Sequence, residues 1–473
     1  MKSNFKTIEN VEITGTSSDG KAITRQNDIV IFVEGAVPGD IGDISIKKSK
    51  KSFKEGRLEK LIKPSEDRVD PFCEHFGVCG GCKWQNMNYE AQLKYKQQQV
   101  FDALTRIGKI KLPEIAPILP SPDTRFYRNK LEFTFTNNRW LTIDEMKDME
   151  NQQRNGLGFH TPNNFSKVIE VNKCWLQADP SNEIRLFIKD YALENKLTFF
   201  DLRKQEGLLR NLIVRTANTG ELMVLVSFFR DDKQQIEDLL NRVAEKFPAI
   251  TSLMYVINPK GNDTIFDLEV KCFKGNDHIV EEMPWADDSS NRLQFKVGAK
   301  SFFQTNSKQA FNLYKITFDF AEFKGDELVY DLYTGTGTIA NFIAHKVAKV
   351  IVIEYVADAI NDARKNALMN GISNATFFAG DMKDVLSTEF VNINGVPDVI
   401  ITDPPRAGMH DDVVNRILEI APEKIVYVSC NPATQARDLN LLDVKYEVIK
   451  IQPVDMFPQT HHVENVALLK KRI

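Results

Sequence analysis

Cys430 ends an apolar run in Val428-Ser429-Cys430-Asn431-Pro432, and a proline-started helix is expected directly after it. Open α/β sheets present reactive groups at the C-terminal ends of their strands, and this thiol falls at such an end. The positive N-terminus of the helix favours a thiolate, so the spacing predicts a lowered thiol pKa and a nucleophile. A buried structural cysteine is the competing reading. Glu464 closes Thr460-His461-His462-Val463-Glu464 ahead of Asn465, and taken alone it reads as a surface carboxylate between strands.

A second constellation is Asp331-Leu332-Tyr333-Thr334-Gly335-Thr336-Gly337-Thr338, which follows one strand and opens a helix. Small residues there allow a tight turn and a close ligand approach. Glu354 ends the next strand, 23 residues after Asp331, where an acidic side chain commonly accepts hydrogen bonds from ribose hydroxyls. Asp381 follows the third strand. The glycine pattern is neither G-x-G-x-x-G nor a P-loop, since no Lys-Ser or Lys-Thr follows it. An uncharged turn among carboxylates suits a cationic nucleoside, and S-adenosylmethionine fits. Asp403-Pro404-Pro405-Arg406 ends the fourth strand, with prolines to stiffen the loop and aim Asp403. Many amino-group methyltransferases place an aromatic residue after such a Pro-Pro, so Arg406 argues against an adenine amine as target.

Three thiols, Cys73, Cys79 and Cys82, lie close together around Gly80-Gly81, and Cys174 is remote. Four thiolates can hold zinc or a 4Fe–4S cluster, and spacing does not decide between them. Cys272 has no partner in this pattern and is expected to be a core thiol.

These residues need elements to position them. From about residue 326, strands are expected at Leu328–Leu332, Val350–Glu354, Ala375–Phe378, Val399–Thr402 and Ile425–Ser429. Helices such as Val356–Met369 lie between them, and Tyr446–Ile451 and Asn465–Leu469 could close an edge. This alternation predicts an open, mostly parallel α/β sheet. Short strands with glycine turns before residue 63 suggest a small β-barrel. Its last part carries eight basic residues against two acidic ones, a net +6 within 17 residues, as either a lysine-guarded edge or a phosphate-contacting surface. A helical pattern covers Tyr89 to Ile107. Residues 125 to about 290 alternate like antiparallel strands.

The composition is that of a globular chain. Its 473 residues suggest roughly three domains, with 42% hydrophobic and 27% charged residues. The net charge of −4 does not advertise a polyanion partner, so nucleic-acid affinity would have to come from a local patch. No apolar run approaches a membrane span, and no secretory signal is visible at the start, so the chain is expected to be cytoplasmic.

Asp403-Pro404-Pro405-Arg406, Ser429-Cys430-Asn431-Pro432-Ala433-Thr434 and His461-His462-Val463-Glu464-Asn465 closely resemble the RNA uracil-C5 methyltransferase family. Ser301-Phe302-Phe303-Gln304-Thr305-Asn306, Phe126-Tyr127-Arg128-Asn129-Lys130 and the Cys73–Cys82 stretch resemble it too, in the expected order. The resemblance implies that Cys430 is the nucleophile and Glu464 the general base. It implies that Gln304, Tyr333, Glu354 and Asp403 bind S-adenosylmethionine, joined by Thr338 and Asp381. Where the family often has Cys-Gly-x-Gly-Asn, this chain reads Thr334 to Thr338, so backbone contacts are expected to carry the loop. By resemblance to the branch acting on 23S ribosomal RNA, Cys73, Cys79, Cys82 and Cys174 hold a 4Fe–4S cluster rather than zinc.

The implied fold is multi-domain α/β. Residues 1–63 form a TRAM-like barrel. Residues 64–290 form a central α+β RNA-binding domain with the four-cysteine site, its helix near 89–107 packing on the catalytic domain. Residues 291–473 form a Rossmann-like methyltransferase domain. The implied partner is large-subunit ribosomal RNA with a single-stranded or flipped-out uridine, with no membrane and a monomeric chain. A transfer-RNA enzyme and a non-catalytic RNA-binding iron–sulfur protein are the alternatives.

Overall fold

A computed structural model of the chain describes residues 6–141, 143–147, 153–162, 164–288 and 290–472. The residues Met1 to Phe5, read above for a secretory signal, lie outside these. The N-terminal sheet holds β1 (Thr7–Glu12), β2 (Gly15–Thr16), β3 (Ala22–Gln26), β4 (Ile29–Glu34), β5 (Ile41–Ser49) and β6 (Phe53–Lys63). Its order is β1-β5-β6-β4-β3-β2. The two edge strands are halves of one segment bent at Ile13-Thr14. Ile13 donates to Asp40 and Thr14 to Ile23, so the sheet curls back on itself. Ile13, Ile31, Val33 and Ile44 fill its interior. The far ends of β5 and β6 leave this core, and Lys47, Lys48, Lys50, Lys51, Arg57, Lys60 and Lys63 are exposed along them.

The central sheet has seven strands: β7 (Lys130–Thr136), β8 (Gly156–Thr161), β9 (Asn164–Glu170), β10 (Leu209–Thr216), β11 (Leu222–Phe228), β12 (Ser252–Ile257) and β13 (Val270–Gly275). Their order is β13-β12-β11-β10-β7-β8-β9. The region is less purely antiparallel than expected. β11 and β12 run parallel, because the helix Lys233–Lys246 crosses between them. That helix buries Ile236, Leu239, Leu240 and Val243, the i, i+3, i+4, i+7 spacing of an amphipathic helix. A second helix, Ser181–Glu194, packs beside it. Cys272 lies on edge strand β13 and is exposed, which corrects the expectation of a core thiol.

The hairpin β14 (His278–Pro284) and β15 (Arg292–Gly298) straddles residue 291. Its Ile279, Met283, Leu293, Phe295 and Val297 share one core with Met223 and Met254 of the central sheet and Val350 and Val426 beyond it. The hydrophobic interior is therefore continuous across that boundary.

The last sheet comprises β16 (Leu328–Leu332), β17 (Lys349–Glu354), β18 (Ala375–Ala379), β19 (Val399–Thr402), β20 (Lys424–Ser429), β21 (Tyr446–Val454) and β22 (Glu464–Lys471). The order is β18-β17-β16-β19-β20-β22-β21, with the first five parallel and β22 antiparallel to both neighbours. Strands such as Val399–Thr402 are buried throughout, which is why they read as unbroken apolar runs. The direction of the strand order reverses between β16 and β19, the switch point where open sheets bind ligands. The helix Tyr89–Ala103 ends in a π-turn, Leu104–Gly108. Val100, Ala103 and Leu104 pack with Ala436 and Leu439 of the helix Pro432–Leu442.

Candidate active site

The glycine loop leaves β16 through three residues with positive φ: Tyr333 at 62°, Gly335 at 56° and Gly337 at 77°. At Gly337 a side chain would meet the Cβ of Ala363 at 2.8 Å, so the turn requires glycine. Glu354 anchors the loop from the tip of β17: its carboxylate accepts from Gly335 N at 3.0 Å and Val356 N at 2.9 Å. Asp331 is fully buried below the turn and accepts from Thr334 Oγ1 at 2.5 Å. Burial pushes its carboxyl up to about 7. Thr338 begins the next helix and is buried. Tyr333 is half-buried, and burial and then Asp381 raise its hydroxyl pKa. Asp381 sits further out, capping Lys383 N at 3.2 Å and pairing with the Lys383 side chain.

Gln304 arrives from the other side. It follows β15 and is buried, and its carbonyl is held by Asn129 Nδ2 at 3.0 Å. Thr336 Oγ1 donates to Phe302 O at 3.1 Å, which ties this segment to the glycine loop. Neither the Gln304 amide nor the Asp403 carboxylate has a hydrogen-bond partner among the described residues.

Sheet register explains how Cys430 and Glu464 meet. β20 and β22 are antiparallel, and Ser429 pairs with Asn465. One step further, Cys430 and Glu464 come opposite each other at the strand ends. Asp403 leaves the neighbouring β19, its backbone bonded to Leu332 O at 3.3 Å. Asn431 Nδ2 and Thr434 Oγ1 both donate to Arg406 O, at 3.0 and 3.2 Å, and lock the Asp403–Arg406 loop against the Cys430 turn. Three acids thus crowd one recess. Burial, then Asp403, pushes Glu464 up to about 8, and Arg406 opposes the rise. Burial, then Asp331, pushes Asp403 up to about 7.

The thiol departs from expectation. Burial, followed by the charges of Glu464 and Asp403, pushes Cys430 up to about 12, and Arg406 opposes only in part. Helix Pro432–Leu442 does start where expected, capped by Asn431, but burial, with the two carboxylates, outweighs its terminus. This environment favours the neutral thiol over the thiolate.

The recess also contains Tyr314, which the sequence reading did not single out. It is buried, and burial with Asp403, Glu464 and Asp331 raises its hydroxyl pKa, while Thr338 opposes. Its helix, Ser307–Ala321, offers Phe311 and Phe318 at similar spacing, so only the fold distinguishes it.

The four cysteines do gather. Cys73, Cys79, Cys82 and Cys174 line one cavity of about 380 Å³. Burial, then the neighbouring thiols, pushes Cys79 up to about 11 and Cys82 up to about 12. Among the described residues, however, no three His, Cys, Asp or Glu side chains are placed to hold a single metal ion. The expected 4Fe–4S site, with zinc as its alternative, is therefore not borne out by the placement of these thiols.

The barrel reaches the same edge. Trp84 Nε1 donates to Gly20 O at 2.9 Å, Lys83 Nζ to Asp19 O at 2.6 Å, and Lys83 N and Trp84 N both to Gln459 O. His461 packs directly on Gly20.

Comparison with known proteins bears on this arrangement. The family described as tRNA (Uracil-5-)-methyltransferase matches residues 267–472. An "uncharacterized RNA methyltransferase" of Bacteroides thetaiotaomicron is 59% identical over 460 residues, covering 96% of this chain and 100% of that protein. One of Porphyromonas gingivalis is 56% identical, covering 97% and 99%. The chain belongs to the RNA uracil-C5 methyltransferase family. Within that family, the crystal structure of Pyrococcus abyssi tRNA (uracil-54, C5)-methyltransferase with S-adenosyl-L-homocysteine is 28% identical with a TM-score of 0.74. It covers 97% of this chain and 100% of that one. The protein is an S-adenosylmethionine-dependent RNA uracil-5 methyltransferase with a Rossmann-like catalytic sheet. No helix among the described residues is long and apolar enough to cross a membrane.

Proposed function

We propose that the protein methylates C5 of a uridine in large-subunit ribosomal RNA through a transient bond between Cys430 Sγ and C6 of the base. The observation that carries this is the pairing of Cys430 with Glu464 across two strand ends, beside Asp403. Uracil C5 is a poor nucleophile. Sulfur bonding to C6 pushes the ring electrons toward C5 and O4 as an enolate, and the thiol proton passes to the Asp403 carboxylate, which leaves Glu464 ionised for the later step and returns the proton to the sulfur when it leaves. C5 then takes the methyl group. Glu464 removes the remaining C5 proton, the C5–C6 double bond re-forms, and the sulfur leaves.

Gln304, Tyr333, Glu354 and Asp403 would hold S-adenosylmethionine, which supplies the methyl group from a sulfonium cation. Thr338 and Asp381 would lie at the margin. The unpartnered Gln304 amide and the raised Asp331 and Asp403 carboxyls fit such a cation. Cys73, Cys79, Cys82 and Cys174 would hold a 4Fe–4S cluster, which would join residues 73–82 to 174 and brace the fold.

The exposed basic ribbon of β5 and β6 supports a phosphate grip, and residues 1–63 act as a TRAM-like module in this reading. A transfer-RNA substrate is the second reading. The Pyrococcus enzyme is named for tRNA and its fold matches nearly the whole chain, so the overall layout does not separate the two.

The test is incubation with S-adenosylmethionine and 5-fluorouridine-substituted ribosomal or transfer RNA. Fluorine at C5 cannot leave as a proton, so a Cys430-dependent covalent adduct should accumulate on the true substrate. No adduct with either RNA would overturn the mechanism, and an adduct with transfer RNA alone would overturn the ribosomal assignment.

A further inference from the structure

Phe126 is a bulky residue held at φ 55°, in the left-handed region that side chains avoid, and it is 42% exposed. A disfavoured backbone that leaves an aromatic ring partly open to solvent points to a use beyond packing. The backbone is pinned on both sides. Phe126 N donates to Trp175 O at 2.8 Å, and the adjacent Tyr127 hydroxyl donates to Pro458 O at 2.9 Å. Three residues on, Asn129 holds Gln304 O at 3.0 Å. Phe126 therefore sits beside the segments that carry Gln304 and lead into Glu464.

Its surroundings are aromatic and cationic. The Phe126 and Trp175 rings lie 5.7 Å apart, and Trp175 meets Phe72 at 5.9 Å. The Arg125 guanidinium lies 3.9 Å from the Phe72 ring centre, and Lys173 Nζ 4.2 Å from that of Trp175. Arg125 and Lys173 are exposed and have no carboxylate partner among the described residues. Rings interleaved with unneutralised cations are what a single nucleic-acid strand binds, with bases on the π-faces and phosphates on the charges.

We propose that Phe126, framed by Arg125 and Trp175, is a stacking platform for an unpaired RNA base that flanks the target uridine. This deepens the function proposed above and rests on its RNA substrate. Phosphate and base can be met together here.

The test uses the full chain and a short single-stranded oligouridine carrying one 2-aminopurine, whose fluorescence falls when it stacks. The wild-type protein should quench the probe. Phe126→Ala and Phe126→Gly should bind it roughly tenfold more weakly, and Phe126→Trp should retain binding. Phe126→Gly suits the backbone, so its melting temperature should equal or exceed that of the wild type, which separates a missing stack from a damaged fold. With methylated RNA as readout, KM for RNA should rise while kcat holds. Equal affinity of the glycine variant and the wild type, or no quenching by the wild type, overturns the platform. Quenching without uridine methylation would instead overturn the proposed function and leave the platform standing.

Discussion

Lys96 Nζ and Asp455 Oδ1 are 2.5 Å apart, and neither side chain is exposed to solvent. Tyr89 adds its hydroxyl to the same carboxylate at 2.8 Å, and Phe457 N donates to it at 3.1 Å. The pair joins the helix Tyr89–Ala103 to the turn that runs from β21 into Glu464. Breaking a buried pair strands a charge, at a cost of about 3–5 kcal/mol. Lys96→Met should therefore lower stability to denaturant by that order and reduce methylation. A loss near zero would show that the turn stands without the pair.

Glu464 raises the Cys430 pKa, so removing its charge should lower it. Glu464→Gln should react faster with iodoacetamide at Cys430 than the wild type near pH 8, followed by peptide mass. The same variant should accumulate a covalent adduct with unmodified RNA, since the C5 proton stays in place. Rapid release of methylated product would take Glu464 out of the base role.

Asp403 carries a pH signature. Its carboxyl lies near 4 in an unfolded chain and at about 7 in the fold, so the folded state holds the proton more tightly. Stability should then fall as pH rises from about 4 to about 7, and stay reduced above that. Asp403→Asn removes this residue's share of the fall, while Asp331 and Glu464 keep theirs. Its melting temperature should exceed that of the wild type above pH 7, by a margin that shrinks toward pH 4. A margin constant across that range would contradict the assignment.

The basic ribbon is testable by salt. Lys47 and Lys48 are engaged with Glu34 and Glu55, whereas Lys50, Lys51 and Lys60 have no ion-pair partner among the described residues. Replacing these three by glutamine should flatten the plot of log affinity against log salt. The slope should change by about 0.7 for each phosphate of single-stranded RNA that is no longer neutralised. An unchanged slope would place the phosphate grip elsewhere.

Much of the catalytic sheet was legible because parallel strands buried on both faces leave unbroken apolar runs between helices. Leu328–Leu332 and Val399–Thr402 were read to the residue. Cys430 and Asp403 were legible because each closes such a run. Tyr314 was not, since a tyrosine on an amphipathic helix looks like core until the fold turns it toward three carboxylates. The thiol pKa was misjudged because a helix start is visible in sequence, whereas burial of the strand end and the two acids from other strands are not. The helix Lys233–Lys246 was missed although its apolar spacing is helical, because the strands around it dominated the reading. The left-handed backbone at Phe126 leaves no sequence signal at all.

Gly20, Trp84, Gln459 and His461 fasten the barrel to the edge of the catalytic sheet. The distance from the lysine ribbon to Cys430 is therefore set by folded protein rather than by a tether. If the ribbon grips phosphates and Cys430 attacks the base, as proposed, the uridine would reach the sulfur only when the strand between the two points has the matching span and bend. On that reading the N-terminal module would act as a ruler, and altering its seat on residues 459–461 should change which uridine is methylated, read by mapping the methylated positions, before it changes how fast that uridine reacts.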